Sequence, residues 1–114
     1  MIEEEIVATL RTGVPLVDNR VYPLTMPQDT KRDCLTFQVV SNMEDLCVEG
    51  NVYANSIHIQ IDVWSKSYMD SIKIRDEVLA AMHGEFVLNG VFYMDLYEPH
   101  TLKYRQLCDM IISK

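Results

Sequence analysis

From Ile57 to Trp64 apolar and polar residues alternate without a break. Ile57, Ile59, Ile61 and Val63 point one way, and His58, Gln60, Asp62 and Trp64 the other, because successive side chains on a strand leave opposite faces. After Ser65-Lys66-Ser67 the period changes. Ile72, Ile74, Val78, Leu79, Ala81 and Met82 recur at helical spacing, opposite Asp70, Lys73, Asp76 and Glu77, which predicts an amphipathic helix over Tyr68–His83. Ser67 suits its N-cap, with Asp70 three residues on as in a capping box, and Gly84 suits its C-terminal stop.

The same reading places a first helix over Ile2–Arg11, with Ile2, Ile6 and Leu10 on one stripe and Glu3, Glu4 and Glu5 in the turn where the helix dipole favours acids. Gly13 and Pro15 end it. Pro15 to Arg32 is irregular, with a short extended piece at Val21-Tyr22, and its part from Thr25 to Asp33 is the candidate mobile arm. Cys34–Ser41 reads as a strand with Leu35, Phe37 and Val39 on one face. It joins the long strand Val52–Trp64 through a polar connection, Asn42–Asn51. Glu85–Leu88 and Val91–Tyr97 read as a hairpin over Asn89-Gly90, the strongest two-residue turn signal. A loop around Pro99 leads into a last strand, Lys103–Ile112, with Tyr104, Gln106, Cys108, Met110 and Ile112 on one face. The expected fold class is α+β: a mostly antiparallel β-sheet with helices packed on one face, in a single domain spanning residues 1–114.

At 114 residues the chain fits one domain, and 48% hydrophobic residues suffice for a core. Its formal net charge is -7, with no basic stripe, which argues against tight nucleic-acid binding through phosphate neutralisation. The acidity is accounted for by solubility alone; an acidic surface also suits a channel through which DNA slides without sticking. The N-terminus has the wrong charge for a secretion signal, and no apolar run approaches the roughly 20 residues that cross a bilayer. Three cysteines, Cys34, Cys47 and Cys108, lack paired spacing and read as free thiols of a reducing compartment.

Candidate chemistry is sparse. His58 and Asp62 share a strand face but stand about 14 Å apart, too far to chelate one metal on a straight strand. No cysteine sits in a Cys-His motif that would activate a nucleophile. Zinc-ligand spacing, a Gly-rich phosphate loop, GxSxG and HExxH are all missing from the sequence. The expectation is therefore no enzyme, with no catalytic, cofactor-binding or metal-binding residues and no cofactor. The aromatics Tyr53, Trp64, Tyr68, Tyr93, Tyr97 and Tyr104 exceed the needs of a core this small and suit interfaces.

Four segments taken in order carry a resemblance: Arg20-Val21-Tyr22-Pro23; Met26-Pro27-Gln28; the strand Ile57-His58-Ile59-Gln60-Ile61-Asp62-Val63-Trp64-Ser65 running into the helix Met69 to Met82; and Tyr104-Arg105 in the closing strand. Together they resemble the tail-completion (tail-terminator) proteins of long-tailed phages and prophages, over nearly the whole chain. The resemblance implies a virion protein at the tail end or neck, made in the host cytoplasm. It implies self-association into a ring, commonly a hexamer, that caps the tail tube, stops its polymerisation and presents a surface to the head-completion protein. It also implies partners in the tail tube protein and the head-completion protein, DNA passing through the lumen without specific binding, and no membrane. Tyr22-Pro23 would shape the loop, and Trp64 would anchor the strand–helix corner. The Asn42–Asn51 connection carries no family signature. Candidate interface residues are Thr25, Met26, Pro27, Gln28, Asp29 and Thr30 of the arm and Met43, Glu44 and Asp45 of the connection, because both segments lack the apolar periodicity to pack on their own core. The alternatives are another head–tail connector or neck protein and, of a different class, a small cytoplasmic enzymatic or ligand-binding α/β domain.

Overall fold

The computed structural model describes residues 1–27, 30–50 and 52–113. The chain forms α1 (Ile2–Gly13), a short 3-10 turn (Pro15–Val17), β1 (Val21–Pro23), β2 (Cys34–Leu46), β3 (Val52–Ser65), α2 (Tyr68–Glu85), β4 (Val87–Glu98) and β5 (Lys103–Ser113). The strands make one five-stranded sheet in the order β1-β2-β3-β5-β4. β1 runs parallel to β2, and every other neighbouring pair is antiparallel. The fold is α+β, with both helices on one face.

Register explains the core. Leu35 pairs with Val63, Phe37 with Ile61 and Val39 with Ile59; across β3, Ile61 meets Cys108, Ile59 meets Met110 and Ile57 meets Ile112. These rows face Ile6 and Leu10 of α1 and Ile74, Val78 and Met82 of α2 in one buried cluster. The face read from the period-two pattern is therefore the buried one. Ser67 caps α2 as expected, its Oγ accepting from the Asp70 N–H at 3.3 Å. The reciprocal bond of a capping box is replaced: the Ser67 N–H donates to Ser65 Oγ at 3.1 Å, so the strand–helix corner is closed by two serines.

Four expectations need correction. β2 does not stop at Ser41. It runs to Leu46, with Met43, Glu44 and Asp45 paired to Ser56, Asn55 and Ala54, so the polar connection shrinks to Cys47–Asn51. A polar strand is invisible to apolar alternation, yet β3 offers it a complete hydrogen-bonding partner. Asn89-Gly90 is not a turn. β4 is one strand from Val87 to Glu98, because β5 pairs with both halves, and the dipeptide marks a register shift between Leu88 and Gly90. Gly84 lies inside α2, which continues to Glu85 and ends with the Phe86 N–H donating to the Met82 carbonyl. Gly13 is the last residue of α1 rather than a stop beyond it, and it owes its place to packing. A Cβ built there would lie 2.5 Å from Ala81 Cβ on α2, so glycine sets the distance between the helices.

Two measurements test this packing. Ile59, fully buried, should lose about 2–5 kcal/mol on substitution by alanine in urea unfolding, as expected of a large aliphatic deleted from a closed core. Glycine to alanine in a helix ordinarily gains up to about 1 kcal/mol. Gly13→Ala should instead destabilise by about 1–3 kcal/mol through overpacking, and Ala81→Gly should restore part of that loss in the double variant.

Candidate assembly surface

The arm and the former connection lie far apart. Met26 packs its Sδ 3.8 Å from both Cys34 Sγ and Lys103 Nζ, at the beginning of β2. Met43 stands nine residues further along the same strand, about 30 Å away at 3.4 Å per residue. The structure thus separates the two groups of candidate residues.

At the first position the arm is held by its own sheet. Lys103, almost fully buried, donates to the Thr30 carbonyl at 2.5 Å, and Thr30 Oγ1 donates to the Pro27 carbonyl at 2.5 Å. Thr25 and Pro27 are exposed, and Met26 and Thr30 are half-buried. Gln28 and Asp29 lie outside the described residues. The recess beside Lys103 is also lined by Lys31, Lys66 and His100. Arg20 ties the neighbouring β1 down: its Nε donates to the Asp33 carbonyl at 2.7 Å, and its own carbonyl accepts the Leu35 N–H.

At the second position the chain projects. β5 pairs with β3 as far as Ser56, opposite Ser113. Beyond that point, among the described residues, the β2–β3 hairpin continues alone. Glu44, Asp45 and Leu46 there are exposed, as are Met43 opposite Ser56 and Val40 further back, at the register shift beside His58 and Ile59.

The face of the sheet away from the helices carries the motif residues. Arg105 Nη2 lies 3.0 Å from Asp62 Oδ2, and its Nη1 lies 3.5 Å from Glu98 Oε1. The guanidinium sits 5.1 Å from the Trp64 ring centre. Trp64 Nε1 donates to Thr36 Oγ1 at 2.9 Å, and Gln60 donates to Asp62 at 3.0 Å. Trp64 therefore braces three strands across this face; the expectation that it anchors the strand–helix corner is not met, since Ser65 and Ser67 close that corner. Among the described residues, Asp62 Oδ1 and Arg105 Nε are buried without a hydrogen-bond partner. His58 lies 3.5 Å from Asp109 on the same face.

On the helix side, polar ties fix α2 to the last two strands. Gln106, fully buried, donates to Ser71 Oγ at 3.2 Å and accepts from Arg75 at 3.3 Å. Tyr68 Oη donates to Asp95 at 2.6 Å, which holds the Asp95 carboxyl below the usual carboxylate range. Burial pushes the Cys34 thiol up to about 11 and the Cys108 thiol up to about 12, so neither is a thiolate at neutral pH.

The sequence pattern places Val91–Tyr97 on a strand but does not show that this strand is an open edge. Phe92 is 56% exposed and Tyr93 49%, on opposite faces of the strand, with Val87, Val91, Met94 and Tyr97 also exposed. The signal was there: Val91-Phe92-Tyr93-Met94 is apolar on consecutive positions, which marks both strand faces as apolar, but the Asn89-Gly90 reading made the segment one arm of a hairpin with Glu85–Leu88. No helix among the described residues is long and apolar enough to cross a membrane. No protein-family model matches the chain, and no curated protein matches it.

Removing the Arg105 side chain strands a mostly buried carboxylate. Arg105→Met should cost about 2–3 kcal/mol in chemical unfolding, and Asp62→Asn added to it should recover part of the loss.

Proposed function

We propose that the chain is a tail-terminator (tail-completion) protein of a long-tailed phage or prophage. On this reading it is a structural subunit that assembles as a ring on the tail tube, stops tube growth and forms the surface that the head-completion protein meets. The observation that carries the reading is the order of the four motif segments along nearly the whole chain. The geometry supports it in two ways. Asp62 and Trp64 of one motif and Arg105 of another, far apart in sequence, converge on one cluster, as motif residues with a structural role should. Among the exposed apolar residues, Phe92, Tyr93, Met94, Val40, Met43 and Leu46 lie on strand edges, the parts by which sheets join other chains.

The test is tube length. Purified tail tube protein of the same phage, polymerised with and without this protein, should give shorter tubes carrying the protein at one end by electron microscopy with labelled subunits. An unchanged length distribution with no label at the tips overturns the reading. Label found on the head vertex instead of the tube assigns the chain to the neck.

A further inference from the structure

Among the described residues two long stretches of sheet edge lack a partner strand, besides the outer side of the three-residue β1 and the end of β3 beyond Ser56. One is the outer side of β4. The other is the outer side of β2 beyond Phe37, where its pairing with β1 ends. Natural edge strands are usually blunted by lysine, proline, strong bulges or covering loops, because an open ladder recruits another chain. Neither edge is defended by basic residues or proline; β2 does carry register shifts at Val39/Ser41 and Asp45/Leu46, between which Ser41–Asp45 pairs regularly. Val87–Glu98 and Gln38–Leu46 contain no Lys, Arg or Pro. β4 has one register shift near its start and then runs regularly from Gly90 to Glu98. It exposes Phe92 and Met94 on one face and Val91, Tyr93 and Tyr97 on the other, while the second edge exposes Val40, Met43 and Leu46.

Direction matters as much as exposure. β2 and β3 are antiparallel, as are β3 and β5 and then β5 and β4, so β4 runs opposite to β2. Two copies in the same orientation, side by side, bring β4 of one against β2 of the next in an antiparallel ladder. β1 occupies the first residues of β2, which leaves the nine residues Gln38–Leu46 for the neighbour. The contact is heterologous: each copy offers one edge and receives the other, the geometry that closes into rings.

We propose that copies of this chain join head to tail, the open edge Gln38–Leu46 of one pairing with β4 of the next to continue the sheet from subunit to subunit. This rests on the assembly reading above and names its interface. It moves the contact from the Thr25–Thr30 arm, which Lys103 holds to its own subunit, to the two open edges. The chain's charge of -7, together with Glu44 and Asp45 on one edge and Asp95 on the other, sets like charges against each other. Association should therefore strengthen with added salt, which screens that repulsion.

Sedimentation equilibrium on the intact protein tests the pairing. The wild type should show a mass that rises with concentration above the monomer, more so at high salt. Phe92→Lys/Met94→Lys blocks one edge and Val40→Lys/Met43→Lys the other, and each variant alone should associate about tenfold or more weakly, a change of about 1.4 kcal/mol. Mixed in equal amounts, the two variants retain one intact edge each and should form a heterodimer that grows no further. A wild type that stays monomeric at every concentration and salt overturns the proposal. So does a Val40→Lys/Met43→Lys variant that still self-associates, which would indicate β4 pairing with β4, and so does a mixture that fails to pair. Circular dichroism establishes that each variant is folded; if a double variant is not, the single changes Met94→Lys and Met43→Lys carry the same test. Edges that pair as described in a protein without effect on tube length overturn the capping function and leave the pairing. Tube capping by a variant with both edges blocked overturns the pairing and leaves the function.

Discussion

Helix and strand lengths do not match in this fold, and most of its surface character follows from that. α2, with 18 residues, rises about 27 Å, whereas β3, with 14, spans about 45 Å. Two helices therefore cover the middle of one sheet face and leave the rest. Where they cover it, the alternating residues of β2, β3 and β5 are sealed against Ile6, Leu10, Ile74, Val78 and Met82. Where they do not, the β2–β3 hairpin extends past the end of β5 and β4 stands open at the sheet's edge. The molecule is correspondingly long, 52 Å by 26 Å by 22 Å. Gly13 belongs to the same constraint, since it lets α1 approach Ala81 closely enough for two helices to share the covered zone.

Polar interactions position the parts that hydrophobic burial leaves underdetermined. Gln106 reaches from β5 to Ser71 and Arg75, so α2 is set against the sheet by a buried amide as well as by its aliphatic stripe. On the opposite face no helix excludes water, and Arg105, Asp62, Trp64 and Thr36 take over as cross-strand braces. Such pairs matter more for fixing register than for net stability, because desolvating them offsets much of their attraction. These contacts tie the strands of the uncovered face together without making it apolar around Asp62 and Trp64, while Phe92 and Met94 make it apolar at β4.

Acidity and open edges act in opposite directions. Two strand edges without a basic residue or proline invite pairing, while a net charge of -7 on a 114-residue chain holds copies apart. Under the proposed function, that balance would keep copies apart when dilute and let them join where a tail tube gathers them and raises their local concentration.

The sequence by itself determined the elements whose residues differ in hydrophobicity along a period. The β3 face, the α2 stripe with its Ser67 cap, the α1 stripe and the closing strand were legible because burial of alternate or every third to fourth residue is written locally. Tertiary structure decided the rest. Met43, Glu44 and Asp45 are strand because β3 pairs with them, a hydrogen-bonding fact to which their side chains contribute nothing. Asn89-Gly90 is a register shift in a straight strand because β5 lies alongside both halves, which overrides a local preference to turn. The Thr30 carbonyl is tied down by a lysine 73 residues away in sequence. The open edges, where the candidate interface now lies, exist because the sheet order leaves β4 and the far half of β2 without neighbours. Strand order is a property of long-range pairing, which no local pattern of side chains records.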